Sequence, residues 1–219
     1  MSVHSTRAMA ERAVDLCVAL LYEEPSAESV ARLLRAHGER AVAEGEPAED
    51  AGDSRAEVMP VEGVRAEGVR AEGVRAEGVR AEVARAEVVR ADDVAAMREA
   101  AGRLVEVLAA PGTDAAAGLL NRILADTARP PRLTSHGGAS PWHVHVDAHD
   151  DVPWAEWFLA SSAMALAVLL ADHQRVPGGL CASAGCRRPY LDLGGGSPRR
   201  FCGTRCATRE RVAAHRARA

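Results

Sequence analysis

The chain has no lysine, and asparagine, glutamine and isoleucine occur once each, at Asn121, Gln174 and Ile123. Most of these residues have AT-rich codons, so their scarcity reflects the coding sequence rather than a task. Aromatic residues make up only 3% of the 219 positions, which leaves Leu, Val and Ala to build a core. Ala alone contributes 45 residues, and each buries little apolar area. Five cysteines are too few for a disulfide-dense secreted domain, and the composition also excludes a collagen-like chain. The longest uncharged run, Trp157 to Ala171, would span ~22 Å as a helix, against ~30 Å of bilayer hydrocarbon. It is expected to be a buried core helix, with no membrane partner. Met1 to Glu11 holds no apolar segment of signal-peptide type. A cytoplasmic protein with reduced thiols is therefore expected.

Charge is present but unevenly divided. The formal net charge is −4. Residues 1–174 carry 17 Arg against 29 acidic residues, a balance of −12; residues 175–219 carry 10 Arg against Asp192 and Glu210, a balance of +8. An acidic body with a basic tail is the usual footprint of a nucleic-acid-binding module attached to something else.

The pattern along the chain predicts a helix from Ser5 to Tyr22, with Met9, Ala13, Leu16, Cys17 and Leu20 on one stripe. A second helix, Ala27 to His37, is capped at Ser26 and stopped by Gly38. Residues 41–91 look like an acidic linker followed by an insertion in which Glu-Gly-Val-Arg-Ala occurs four times between Glu62 and Ala81. A period of five spreads Val64, Val69, Val74 and Val79 around a helix, and each internal Gly costs roughly 1 kcal/mol relative to Ala. The repeat is expected to be exposed and at most marginally helical, firming up around Val83 and Val88 into the next helix. That helix takes Asp92 as its cap and buries Val94, Met97, Ala101, Leu104 and Leu108. Another starts at Thr113 with Leu119, Leu120, Ile123 and Leu124 inward, and Pro130-Pro131 ends it. A short strand, Trp142 to Asp147, precedes a long apolar helix from Trp154 to about His173. The expected fold is mainly α with a short β element. Residues 1–40 and 92–174 form the helical body, and residues 175–219 form a separate small module.

Four cysteines in that module follow the pattern Cys181-x4-Cys186-x15-Cys202-x3-Cys206. Two short-spaced pairs are how two knuckles supply a tetrahedral thiolate set to Zn²⁺. With too little apolar surface to fold alone, the module needs such a staple. Four protein ligands make the zinc structural. A hairpin is expected to turn at Gly194-Gly195-Gly196, between Tyr190–Leu193 and Arg199–Phe201. The chain then ends in an Arg-rich helix. Arg199, Arg200, Arg205, Arg209, Arg211, Arg216 and Arg218 are the candidate contacts to DNA phosphates and bases. Cys17, on an apolar stripe, is expected to be a core residue.

At these residues the chain resembles the CGNR zinc-finger proteins with an ABATE-type N-terminal domain. The resemblance is carried by Leu180–Cys186, Tyr190-Leu191-Asp192, Pro198–Cys206 and Arg211–Arg218. More loosely it extends to Leu120-Asn121, Pro131-Arg132-Leu133, Trp142–His145 and Ala163–Leu166. The family's Cys-Gly-Asn-Arg stands here as Cys206-Ala207-Thr208-Arg209, and its N-terminal Asp with following Asn-Thr is here Asp15 to Ala19 without either polar residue. The resemblance implies a stress-induced transcription regulator.

His143, His145 and Asp147 alternate with Val144 and Val146, which puts the three polar groups on one strand face. Such a set could bind a metal or do acid–base work; the plainer expectation is an edge strand with valines inward and the polar face in water. Trp142 and Trp157 are candidate walls for a small-molecule effector pocket. No nucleophile elbow, phosphate loop or paired catalytic carboxylates occur, so no enzyme is expected. The leading expectation is a DNA-binding transcription regulator. The alternatives are a zinc-stabilised protein- or RNA-interaction module, its tail docking an acidic partner or its own body, and a hydrolase using His143, His145 and Asp147.

Overall fold

The computed structural model describes residues 5–45, 87–136, 138, 140–194 and 196–218. The acidic stretch from 46 and the pentapeptide repeats lie outside the described residues.

Helix α1 (Thr6–Tyr22) starts at Ser5, whose hydroxyl accepts from the Ala8 N–H. Helix α2 (Ala27–Ala36) begins with a reciprocal pair of bonds between Ser26 and Ser29. It ends at Gly38, whose φ of 86° suits a residue without Cβ. Helices α3 (Ala91–Leu108), α4 (Thr113–Thr127) and α5 (Trp154–His173) complete the body. The cap is not Asp92 but Arg90, two residues earlier, whose N–H donates to the Asp93 carboxylate at 2.8 Å.

α5 is the central element, packed against α1, α3 and α4. It presents Trp157, Phe158, Leu159, Leu166 and Leu169 together with Ala160, Ser161, Ser162, Ala163 and Ala165, all buried. Those small side chains let neighbouring helices approach closely, which is how an alanine-rich chain with few aromatics fills its interior. Among the described residues α5 is the one helix long and apolar enough to cross a membrane, and 56% of its apolar window is buried inside the protein. A buried cation sits beside it: Arg12 is 3% exposed, bonds Glu39 and the Ser161 hydroxyl (3.0 Å), and lies 4.3 Å over the Trp157 ring.

Two short strands frame the insertion. β1 (Ala41–Ala43) pairs in parallel with β2 (Glu87–Val89), Val42 opposite Val88. The sequence pattern predicts linker and incipient helix at these positions. Val88-Val89 and Val42 instead meet as β-branched neighbours, with Val89 fully buried under the body. A second pair, β3 (Arg132–Thr134) and antiparallel β4 (His143–His145), follows α4. Its faces meet the expectation only at Val146, just past the strand and 4% exposed. Leu133 and Val144 are opposite each other and point outward, 68% and 48% exposed. Asp147, expected in water, is 3% exposed. The polar face is turned inward because its members satisfy one another.

Candidate metal centre and basic helix

The C-terminal module begins with β5 (Gly178–Leu180) and antiparallel β6 (Pro189–Leu191). A Cβ at Gly178 would lie 2.1 Å from the Tyr190 carbonyl oxygen and 3.1 Å from Leu108, so the close approach of β5 to β6 and the body requires glycine. β6 packs on α1 and α3. Tyr22 donates to the Arg187 carbonyl (2.8 Å), and Arg188 pairs with Glu23. The module is thus seated on the body.

The hairpin differs from the expected one. The described ladder is β5–β6, with the knuckle as its turn; the expected turn at 194–196 includes residue 195, which lies outside the described residues. Pro198 has no N–H to give a ladder, and the Arg199 N–H goes to the Asp192 carboxylate (3.0 Å), not to a strand. Burial raises the Asp192 pKa, but the Arg199 N–H and Arg175 outweigh it and hold the carboxyl below its usual range.

The knuckle places Cys181 directly after β5, its N–H bonded to the Arg188 carbonyl, and Cys186 in the turn, bonded to the Ser183 carbonyl. Cys202 lies one residue before Gly203, the N-cap of helix α6 (Thr204–Arg216), and Cys206 lies in the first turn of that helix. The four sulfurs lie within 4.8 Å of one another, with Cys186–Cys202 at 3.7 Å and Cys202–Cys206 at 3.8 Å. A zinc tetrahedron with Zn–S of ~2.3 Å has S···S edges of ~3.8 Å. The donor chemistry agrees. Burial opposes ionisation at Cys181, but backbone N–H groups of Cys202 and Ser183 bring it down to about 7. Cys202 is pushed up to about 12 by burial and the surrounding sulfurs. One thiol ionises at its neighbours' expense, so four thiolates together require a cation. Cys181, Cys186, Cys202 and Cys206 hold one structural zinc. Cys17 is not part of this set: it is 1% exposed, and burial pushes its thiol up to about 12.

The candidate DNA-contacting arginines separate into two groups. Arg199 bonds the Leu191 and Cys202 carbonyls and lies over the Tyr190 ring. Arg209 donates to the Ser183 hydroxyl (2.8 Å) and to Cys206 Sγ (3.4 Å). Both therefore brace the zinc site. Glu210, which the sequence does not signal as a site residue, completes that brace by accepting from Ser183 and the Ala184 N–H. Arg200, Arg205, Arg211, Arg216 and Arg218 are exposed. Among the described residues, none of the α6 arginines pairs with a carboxylate of the body. α6 buries only Cys206.

The polar set of β4 also assembles. His143, His145 and Asp147 share the inner face of β3–β4, joined there by His136, Arg132 and Asp150. His136 is a loop residue with φ of 49°, outside any strand alternation, and only its spacing to His143 signals it in the sequence. Trp142 and Trp157 do not form a pocket wall together: Trp142 is 72% exposed, whereas Trp157 is buried beneath Arg12.

Tetrahedral four-cysteine geometry on a hairpin and a helix defines a structural zinc module. Residues 179–219 match the CGNR zinc finger family. A comparison with curated proteins finds no match.

Proposed function

We propose that the chain is a cytoplasmic, non-catalytic DNA-binding transcription regulator that presents α6 to the duplex. The ABATE-like reading of the body, with its part in stress-responsive regulation and reception of a small-molecule signal, belongs to the same proposal. The observation that carries it is α6 itself. A helix that is polar around most of its surface and buries one residue gains little from packing. Among the described residues its exposed arginines pair with no carboxylate of the body, and phosphates are the natural partners.

Fluorescence anisotropy with a labelled duplex tests this, with RNA and single-stranded DNA as competitors. Each phosphate contact releases counterions, so affinity should fall steeply with salt. An Arg205→Gln/Arg211→Gln/Arg216→Gln protein should keep its zinc while the slope of log K against log salt shrinks by roughly 3, at ~0.9 per contact. Unchanged DNA affinity in that protein would sink the proposal. Preference for RNA, or no nucleic-acid binding at all, would favour the interaction-module alternative.

A further inference from the structure

The cluster on the inner face of β3–β4 takes no part in the proposed DNA binding. The rings of His136, His143 and His145 form a nearly equilateral triangle, their centroids 5.0, 5.0 and 4.8 Å apart. Their Nε2 atoms converge, 3.2 Å from His136 to His143 and 3.0 Å from His143 to His145.

The opposite nitrogens explain why. His136 Nδ1 faces Asp150 Oδ2 at 3.0 Å, His143 Nδ1 faces the Pro141 carbonyl at 2.7 Å, and His145 Nδ1 faces Asp147 Oδ1 at 3.0 Å. An acceptor behind each ring holds the proton on Nδ1, so each Nε2 presents a lone pair to the common point. Arg132 also comes within 3.2 Å of His145 Nδ1, but the two hydrogens of that guanidinium nitrogen are taken by Asp147 and Asp150. Three converging lone pairs repel one another unless a cation lies between them. Nitrogens at ~2.0–2.1 Å from a tetrahedral zinc stand ~3.3–3.4 Å apart, close to the spacing here. Carboxylate or carbonyl acceptors behind metal-bound imidazoles are the usual outer support of such centres. The charges agree, because Asp147 and Asp150 exceed Arg132 by one negative charge.

We propose that His136, His143 and His145 bind a divalent transition-metal ion of the zinc class through Nε2. This is a second metal centre, chemically distinct from the four-cysteine site. Imidazole nitrogens suit Zn²⁺, Ni²⁺, Cu²⁺ and Fe²⁺, and exclude the oxygen-seeking Mg²⁺ and Ca²⁺. Asp147 and Asp150 stand behind the rings as orienting groups and are not ligands. Three protein ligands leave a fourth position, reachable from solvent on the His136 side, where the side chain is 29% exposed. That position takes water or a small anionic or neutral donor.

The test is metal stoichiometry on the full chain, stripped under reducing conditions and titrated with Zn²⁺ and separately with Co²⁺. The wild-type protein is expected to take a second equivalent beyond the thiolate site, and its Co²⁺ form to add ligand-field bands without further thiolate-to-metal charge transfer. His136→Gln and His143→Gln should each lose the second equivalent and retain the first. Asp150→Asn keeps all three ligands and should weaken the second site about 10–100-fold. Emission of the buried Trp154 and Trp157 reports that the body remains folded. A single equivalent in the wild-type protein overturns the proposal, as does a second equivalent that survives both histidine substitutions.

Discussion

Replacing Cys206 with alanine separates the metal from the rest of the architecture. Structural zinc supplies on the order of 10 kcal/mol or more of folding free energy in such modules. α6 has almost nothing else to hold it, since Cys206 is its one buried residue. The braces from Arg209 and Glu210 run to Ser183 on the knuckle, so they fail with the knuckle. The body, by contrast, has its own apolar interior built on α5. The expected result is local: α6 melts while α1 to α5 persist. α6 supplies 13 of the 93 residues in the six helices, so helical ellipticity should fall by about a seventh. All three tryptophans, Trp142, Trp154 and Trp157, lie in the body, so their emission should be unchanged. Far-UV circular dichroism and tryptophan fluorescence of the same sample measure the two parts separately. Full ellipticity in a protein that has lost its thiolate-bound zinc would refute the reasoning. Collapse of the Trp154 and Trp157 signals would equally refute the claim that the body is self-supporting.

Glu39→Gln leaves the Arg12 guanidinium buried without its charge partner and should destabilise the protein by about 3–5 kcal/mol in urea melts; an Arg12→Met/Glu39→Leu pair should recover most of that loss. Deleting residues 62–81 shortens the connection between β1 and β2, and loop entropy changes by only ~0.6 kcal/mol per doubling of length, so the melting temperature should hardly move. Thiol titration of the native holoprotein with a polar alkylating reagent should leave Cys17 unmodified, because its thiol is buried and its pKa pushed up to about 12; modification before global unfolding would contradict its core placement. Gly178→Ala should unseat the hairpin of the finger, seen as loss of zinc retention at a chelator concentration the wild-type protein withstands.

The elements legible in the sequence are those whose ends carry their own chemistry. α2 is bounded by the Ser26–Ser29 pair and Gly38, and α5 starts directly after Pro153. The zinc ligands are legible because two short-spaced cysteine pairs on a reduced, apolar-poor segment seldom arise except around a metal. β1 and β2 are not: each is three residues long, too short to show a period, and they meet across more than forty intervening residues. Long-range pairing of that kind leaves no local mark. The alternation in β4 is plain in the sequence, but its direction is not, because periodicity fixes which residues share a face and not which face is buried. Hydrophobicity favours Val144 inward; the inner face goes instead to groups that bond one another through Arg132, Asp147 and Asp150.

The seven candidate arginines show the same limit in the finger. By composition they are equivalent, and codon bias removes any meaning from the choice of Arg over Lys. Geometry separates them. Arg209 belongs to the motif where the family's Cys-Gly-Asn-Arg ends, and its guanidinium lies 3.4 Å from Cys206 Sγ. A cation there relieves the charge of a zinc-bound thiolate cluster, which carries a net −2 when four thiolates meet one Zn²⁺. Arg209→Gln should therefore lower zinc affinity, and any loss of DNA binding should follow the zinc. Arg211→Gln should lower DNA affinity at constant zinc. Measuring zinc retention and DNA affinity in both proteins distinguishes a ligand-bracing arginine from a phosphate-facing one. Identical behaviour of the two variants would mean that the division drawn from the Cys206 and Ser183 contacts is wrong.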